Sequence, residues 1–597
     1  MKTKKLISIY RKLACLLLVL SITFSLNGCS LPFNLAKNNS TLSQSAGTEN
    51  EAFSDFIYQL FCDAVSSDTL TLHSFIQTPS NYKITDYDVT LGGYDLENLD
   101  GTTDLTECLT TLNSFSKDTL SEKQRITYEQ LKIFLETQLE YSDLYLLGSQ
   151  LSTTIGIQVQ LPIIFAEYKF NEKKDIDEYL LLLQDTDEYY SNLIEFEKLR
   201  AAKGYFMSDE LADEIITQCQ TFIDTASAGY LITTFNEKID AFSGLSDEEK
   251  ITYKHTNTDA VNNHMIKAYT ILRDGLASLR GSCKYTGGLC NFPDGTKYFE
   301  FLLKENLGWS KSIDQFDALL DSYLTYYMTG MQMLMLKDNS LLDKFDTFTF
   351  SLTEPGAIIE DLKGRIFENY PDIPEVNYSI KYIDKSLEDY ASPAMYFTPQ
   401  IDNLSENSIY INSGATSGNE LYPTLAHEGY PGHLYQTQYF ASKNPEPLRY
   451  IMASRGYVEG WATYVEVSSY EYAQTDNPLL NSLMAYNYAT ILCLYGKVDI
   501  GVNYKGWTAD DVYNYISAYG FNDKSTAQDM YKSMVSEPGN YSKYVLGFLG
   551  FNELKKEAQN KLGSNFNLKN FHKYVLDYGS VPFDMLFNGL EAWAFAN

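Results

Sequence analysis

Across residues 52–279 apolar side chains recur at three- and four-residue intervals, the spacing that gathers them on one face of an α-helix. Asp55-Phe-Ile-Tyr-Gln-Leu-Phe-Cys62 and the stretch from Leu120 to Leu135 show the pattern, and residues 176–199 and 210–223 continue it. Ser121 followed by Gln124 predicts a capping box at one helix start. These apolar stripes read as core. Between Thr349 and Ser413 the period changes. Residues 376–383 alternate and residues 407–412 form a short β-prone run, so a small sheet is expected. Helical spacing resumes at Leu421, which makes the expected fold class mainly α with a small β-sheet just before the helix that begins there. No internal repeat is visible.

The 597 residues suffice for several domains, although a large helical chain also folds as one unit. Apolar residues make up 44%, ordinary globular content, and the aromatic fraction is led by 48 tyrosines. A net charge of −32 argues against a nucleic-acid partner, because no net positive field is present to hold phosphates. The first residues read as an address. Lys2, Lys4, Lys5, Arg11 and Lys12 precede an apolar run over residues 13–26 that is too short to span a bilayer comfortably. Leu26-Asn-Gly-Cys29 resembles the bacterial lipobox. That resemblance implies cleavage before Cys29, lipidation of Cys29 and anchoring to the cell membrane on its extracytoplasmic side; an uncleaved signal anchor is the alternative. Residues 30–51, rich in Ser, Asn and Thr, read as a flexible tether. The expected organisation is a signal peptide over 1–28, a tether over 29–51, a helical part over 52–348 and a site-bearing part over 349–597, the last two forming one continuous fold. Of the six cysteines past Cys29, Cys283 and Cys290 flank a turn-rich loop that a disulfide would close.

The candidate chemistry lies in Leu425-Ala-His-Glu-Gly-Tyr-Pro-Gly-His433, which holds two of the chain's six histidines. Glu428 follows the first directly, and Glu459 lies in Gly-Tyr-Val-Glu-Gly-Trp-Ala further on. Two imidazoles, an adjacent glutamate and a distant one are the parts of a catalytic zinc site. The familiar HExxH spacing puts its histidines about 40° apart around a helix, on one face. His427 and His433 are six residues apart, roughly 240° on an unbroken helix, and there they could not share an ion. Pro431 and Gly432 offer a break that would swing His433 back over His427. By spacing alone, a metal site and a plain helix end with two half-exposed histidines both satisfy the pattern. Glu459 and Glu466, seven apart, share one helix face. Glu466 is therefore either an acid that orients a ligand imidazole or a solvent-facing one.

His427-Glu-Gly-Tyr-Pro-Gly-His-Leu-Tyr-Gln436 resembles the HExxPGHxxQ signature of the bacterial family catalogued as domain of unknown function 885. Tyr457 to Glu466 resembles its YxEGWAxYxE segment. Pro538-Gly539 with Tyr544 and Gly547 resembles PGxxxxYxxG, and Phe566 to Pro582 resembles FxLxxFHxxxLxxGxxP. Weaker similarity reaches back through Pro293-Asp-Gly295 and Tyr298 to Phe53, so the resemblance spans nearly all of the chain past Cys29. The family is similar to a distant branch of the gluzincin metallopeptidases. That likeness implies a zincin-like architecture with Zn2+ held by His427, His433 and Glu459 and with Glu428 as general base. It makes Tyr544 the candidate oxyanion donor, against a plain core tyrosine, and Arg455 a candidate to hold a substrate carboxylate, against pairing with an acid. An edge strand, residues 408–412 or 394–397, would pair with the substrate backbone, against the alternative that either is an ordinary buried strand. His572 reads as structural. The six-residue histidine spacing departs from the common gluzincin pattern. The function implied is a surface zinc peptidase acting on peptides. A zinc hydrolase of a non-peptide amide or ester, or a non-enzymatic peptide- or nutrient-binding lipoprotein, are the alternatives.

Overall fold

The structure is a computed structural model that describes residues 49–383, 385, 388, 392–415, 420–472 and 477–596. The expected signal segment, Cys29 and nearly all of the tether lie outside the described residues. The chain is mainly helical with one three-stranded sheet, as the change of period predicts. Helices begin where polar caps satisfy their first amides. Ser121 and Gln124 form the expected capping box at the start of Glu122–Glu140, and Ser246/Glu249 and Ser312/Gln315 do the same elsewhere. The periodic stretches 176–199 and 210–223 lie in the helices Lys173–Lys203 and Asp209–Thr225.

Strand β1 is Tyr378–Tyr382, β2 is Ala394–Phe397 and β3 is Asn407–Ile411. Their order is β1-β3-β2, with β1 parallel and β2 antiparallel to β3. The run 407–411 is therefore the central strand and has no edge to offer. Of the two candidate edge strands, β2 alone stands at the margin of the sheet.

Three large apolar cores hold the molecule together. One joins Phe53, Leu131 and Leu135 to Leu448 and Met452, far away in sequence. A second packs Leu183, Phe235 and Tyr269 among the N-terminal helices. The largest runs from Leu144 to Leu590 and encloses Leu425, Trp461 and Phe551 around the histidine helices. The helix Pro478–Asn503 passes through this core and is buried nearly all round, as its near-continuous apolar text requires. Among the described residues no helix is long and apolar enough to cross a membrane.

The expected Cys283–Cys290 disulfide is absent. Both are free thiols, and their sulfurs turn to different carbonyls, Cys283 to Tyr285 (3.1 Å) and Cys290 to Val502 (3.3 Å). The loop is closed instead by the 3-10 turn Leu289–Asn291 packed against the Pro478–Asn503 helix.

Candidate metal centre

The first histidine helix, Leu421–Glu428, stops at Glu428, and a second, His433–Ser442, starts at His433. Between them the chain turns through Gly429, a cis Tyr430–Pro431 peptide and Gly432. Gly432 is obligatory here, since a Cβ would lie 1.8 Å from the His427 carbonyl oxygen. The Trp461 indole donates to Pro431 O (2.9 Å) and pins the turn to a third helix, Arg455–Ser469. The result is what the Pro-Gly break suggested. The two imidazoles stand 4.7 Å apart between centroids, nearly perpendicular.

Glu459 projects from the third helix toward both rings. Its Oε2 lies 3.7 Å from His427 Nε2 and 3.5 Å from His433 Nε2. One ligand atom from each of His427, His433 and Glu459 falls within 4.8 Å of the others, and all three side chains are buried. Two turns on, Glu466 Oε2 meets His427 Nδ1 at 3.0 Å, and Glu466 Oε1 accepts from Tyr488 OH (2.6 Å). An ionised carboxylate only accepts, so Nδ1 carries a proton, and Nε2 is the ring nitrogen that faces Glu459. Glu466 is thus buried against an imidazole and is not a solvent-facing acid.

Glu428 faces the sheet. Its Oε2 accepts from the backbone N–H of Tyr396 on β2 (2.8 Å), while Oε1 has no hydrogen-bond partner among the described residues. Burial pushes its carboxyl above the usual range, and nearby Glu459 adds to this against the two histidines. In an antiparallel pair both polar groups of one residue face the same way. Tyr396 therefore turns its amide and carbonyl away from β3, toward the site.

The electrostatics call for a cation. Glu428, Glu459 and Glu466 are at most 3% exposed and sit around two imidazoles. Burial disfavours charge on His427, yet Glu459 and Glu466 hold its pKa well above the ordinary value. Burial likewise opposes ionisation of Glu459, but the two imidazoles keep it well below the carboxylate range. His433 Nε2, like Glu428 Oε1, has no hydrogen-bond partner among the described residues. A divalent ion among His427, His433 and Glu459 would offset the buried negative charge and engage that nitrogen, so the donor set fits Zn2+. A second buried group, His73, Asp175 and Glu178, contrasts with it. There His73 Nε2 is hydrogen-bonded to Glu178 Oε2 (2.7 Å), Tyr87 donates to Glu178 Oε1 (2.9 Å), and Asp175 Oδ2 takes the amides of Asn171 (2.7 Å) and Glu172 (2.8 Å). Its members satisfy one another.

Tyr544 comes from a fourth helix, Asn540–Leu562, and its ring lies 6.5 Å from that of His427. This helix crosses the third at backbone contact. A Cβ on Gly460 would sit 2.4 Å from the Gly547 carbonyl carbon, and one on Gly547 would sit 2.1 Å from Gly456 O. Lys543 is buried beside Tyr544 and feels the charges of both Glu459 and Arg455. His572 is structural as expected. Its Nδ1 bonds Asn369 O (2.5 Å), its Nε2 pairs with Tyr464 OH (3.0 Å), and its ring stacks on Tyr370. Tyr488, Trp461 and the Tyr396 amide were not singled out by sequence. Trp461 stood inside a recognised motif, whereas Tyr488 carried no local signal.

A cavity of about 1050 Å3 lies along the helices that carry His433 and Glu459, lined by neighbours of these ligands rather than by the ligands themselves. Gln436, Arg455 and Val458 border it, and its far wall comes from the N-terminal helices, including His73 and Phe134. The two walls thus come from segments hundreds of residues apart in the chain.

Fold and site together define a mainly helical protein with a buried His-His-Glu cluster that can ligate a metal. The chain belongs to the bacterial protein family of unknown function DUF885, with a match over residues 87–589. Two solved structures share the fold. One is a candidate lipoprotein from Colwellia psychrerythraea, 18% identical, with a TM-score of 0.80 over 92% of this chain and 100% of that one. The other is a candidate lipoprotein of unknown function from Shewanella oneidensis, 16% identical, with a TM-score of 0.61 over 90% and 98%. At these identities the likeness speaks for the fold alone. No curated protein matches the chain.

Proposed function

We propose that the protein is a zinc-dependent peptidase of the gluzincin kind, lipid-anchored through Cys29 on the extracytoplasmic side of the cell membrane. The observation that carries this reading is the Glu428 carboxylate. It is buried beside three convergent ligand residues, is held at one oxygen by the Tyr396 amide and has no partner at the other. A site that merely held a metal for structure has no use for such a group. Zn2+ held by His427, His433 and Glu459 supplies a Lewis acid that brings the pKa of a water to about 7 and polarises a carbonyl.

The chain's own residues do the rest. Glu428 takes the proton of the attacking water at its unpartnered oxygen and returns it to the leaving nitrogen. Tyr544, whose ring lies 6.5 Å from that of His427, is the residue we assign to donate its hydroxyl to the oxyanion that forms on the carbonyl. Glu466, braced by Tyr488, keeps His427 in the tautomer that presents Nε2 as the ligand nitrogen. The outer edge of β2 offers the Tyr396 carbonyl to an extended peptide backbone, which favours peptides over other amides or esters as substrates.

The test uses wild type, His427→Ala and Glu428→Gln. Elemental analysis should find about one zinc in wild type and in Glu428→Gln, and little in His427→Ala. Mixed peptides followed by mass spectrometry should show Glu428→Gln slower by a factor of about 10² to 10⁴, the usual share of general acid–base catalysis. Equal zinc in wild type and His427→Ala would falsify the ligand assignment. Undiminished cleavage by Glu428→Gln would remove the general base.

A further inference from the structure

Gln436 closes the ten-residue stretch that begins at His427, and the chemistry above gives it no part. Its side chain is 7% exposed, and its Nε2 has no hydrogen-bond partner among the described residues. It borders the large cavity. A buried amide donor without an acceptor is costly, and at the wall of a cavity it calls for an acceptor on a ligand. Arg455 borders the same cavity.

The two residues are brought to one end of the centre by the way their helices run. The Trp461 indole meets Pro431 O at 2.9 Å, and two residues back along that helix Glu459 meets His433 at 3.5 Å. One chain runs backward as the other runs forward. Gln436 and Arg455 each lie beyond these contacts along their own helices, and both border the cavity. Gln436 is three residues past His433, about 4.5 Å along the axis, and Arg455 is four before Glu459, about 6 Å, so each shares a face with its ligand.

We propose that Gln436 and Arg455 form a carboxylate subsite beside the metal centre, and that it takes the free C-terminal carboxylate of a peptide one residue beyond the scissile bond. This rests on the peptidase reading. The spacing suits it, because one residue of extended chain spans about 3.3–3.6 Å. Lys543, buried close enough to Arg455 for the two cations to repel, raises the local preference for an anion. Three of the four acids that border the cavity have partners of their own. Glu406 pairs with Lys169 (3.0 Å), Glu167 accepts from Tyr410, and Glu305 accepts from Gln138 (3.0 Å). Phe397, the last residue of β2, also borders the cavity, so a peptide lying along β2 past Glu428 ends there. The same carboxylate chemistry is offered by an Asp side chain within a longer peptide.

The test uses zinc-loaded wild type, Arg455→Gln, Arg455→Lys and Gln436→Leu with three peptides of one core sequence. One has a free C-terminus, one is amidated, and one is amidated with Asp as the last residue. Wild type should favour the free acid over the amide by about 10² in kcat/KM. Arg455→Gln and Gln436→Leu should erase that ratio, mainly through KM, with zinc content unchanged, and Arg455→Lys should recover part of it. Calorimetry with a free-acid dipeptide and its amide, on Glu428→Gln as well, reads the same preference without turnover. Acid and amide cleaved alike by wild type would overturn the subsite and leave the peptidase reading standing. The Asp-amide matching the free acid would overturn the terminal assignment. If wild type cleaves no peptide, the peptidase reading falls, and equal calorimetric affinity for acid and amide then overturns the subsite as well.

Discussion

Single residues here owe their properties to burial more than to type. Tyr544 is one of 48 tyrosines, and its nearness to His427 is what singles it out. Tyr544→Phe removes one hydroxyl from a packed ring. It should lower kcat by about 10² while zinc content and KM change little, as expected for loss of a single oxyanion donor; steady-state kinetics with elemental analysis checks this. His572 gives a pH-dependent counterpart away from the centre. Burial, helped by Lys555 and opposed by the Asn369 bond, lowers its pKa to about 3. The unfolded chain takes up this proton below about 6.5 and the folded chain does not. The stabilisation is therefore complete above about 6.5 and is lost as pH falls toward 3, at about 1.4 kcal/mol per pH unit. Urea unfolding of wild type and His572→Gln between pH 4 and 7 should show a stability slope shallower by one proton in the variant; parallel slopes would contradict the burial argument.

At the scale of elements, the centre depends on two helices crossing without side chains between them. Gly456 and Gly460 on one and Gly547 on the other allow backbone contact, which carries Lys543 and Tyr544 up to Glu459 and His427. Gly460→Ala must part the helices, because its new methyl meets backbone atoms that no rotamer change can move. It should cost about 1–3 kcal/mol by overpacking and weaken zinc binding. Gly364 is the control. It lies at an exposed position near the end of its helix with nothing within 4 Å of a new Cβ, so Gly364→Ala should be neutral or stabilising by up to about 1 kcal/mol. Thermal melts of both, with zinc titrations, separate crowding at the crossing from a general intolerance of alanine. The strands teach a related point. Alternation located β1 and a β-prone run located β3, yet which strand stands at the edge follows from pairing across the sheet, and β2 took that place beside Glu428.

At the scale of the molecule, the centre joins parts of the chain that are far apart. The third helix brings Glu459 and Glu466, the Pro478–Asn503 helix brings Tyr488, the fourth brings Tyr544, and the N-terminal helices close the cavity. Metal removal should therefore be felt globally, since it leaves three buried carboxylates around two imidazoles without their counter-ion. A chelator should lower the melting temperature, and zinc at a hundredfold excess over its Kd should restore about 2.7 kcal/mol. A melting curve indifferent to both would argue that the cluster holds no metal.

Local text was enough for features governed by short-range physics. Apolar spacing marked the helices, Ser121 and Gln124 the cap of one of them, alternation the first strand and a β-prone run the third. Pro431 and Gly432 marked the break that lets two histidines six residues apart face each other. Family resemblance picked out Glu459 and Tyr544. Relations between distant segments came from the tertiary structure alone. Tyr488 beneath Glu466, the Tyr396 amide on Glu428, the glycine crossing and the unpartnered Gln436 donor depend on which surfaces pack together. The Cys283–Cys290 pair shows the limit of local reading: a short loop made a disulfide plausible, but packing against the Pro478–Asn503 helix turned Cys290 to Val502 and left both thiols free. Sequence spacing sets what neighbouring residues can do, whereas long-range burial decides which of them meet.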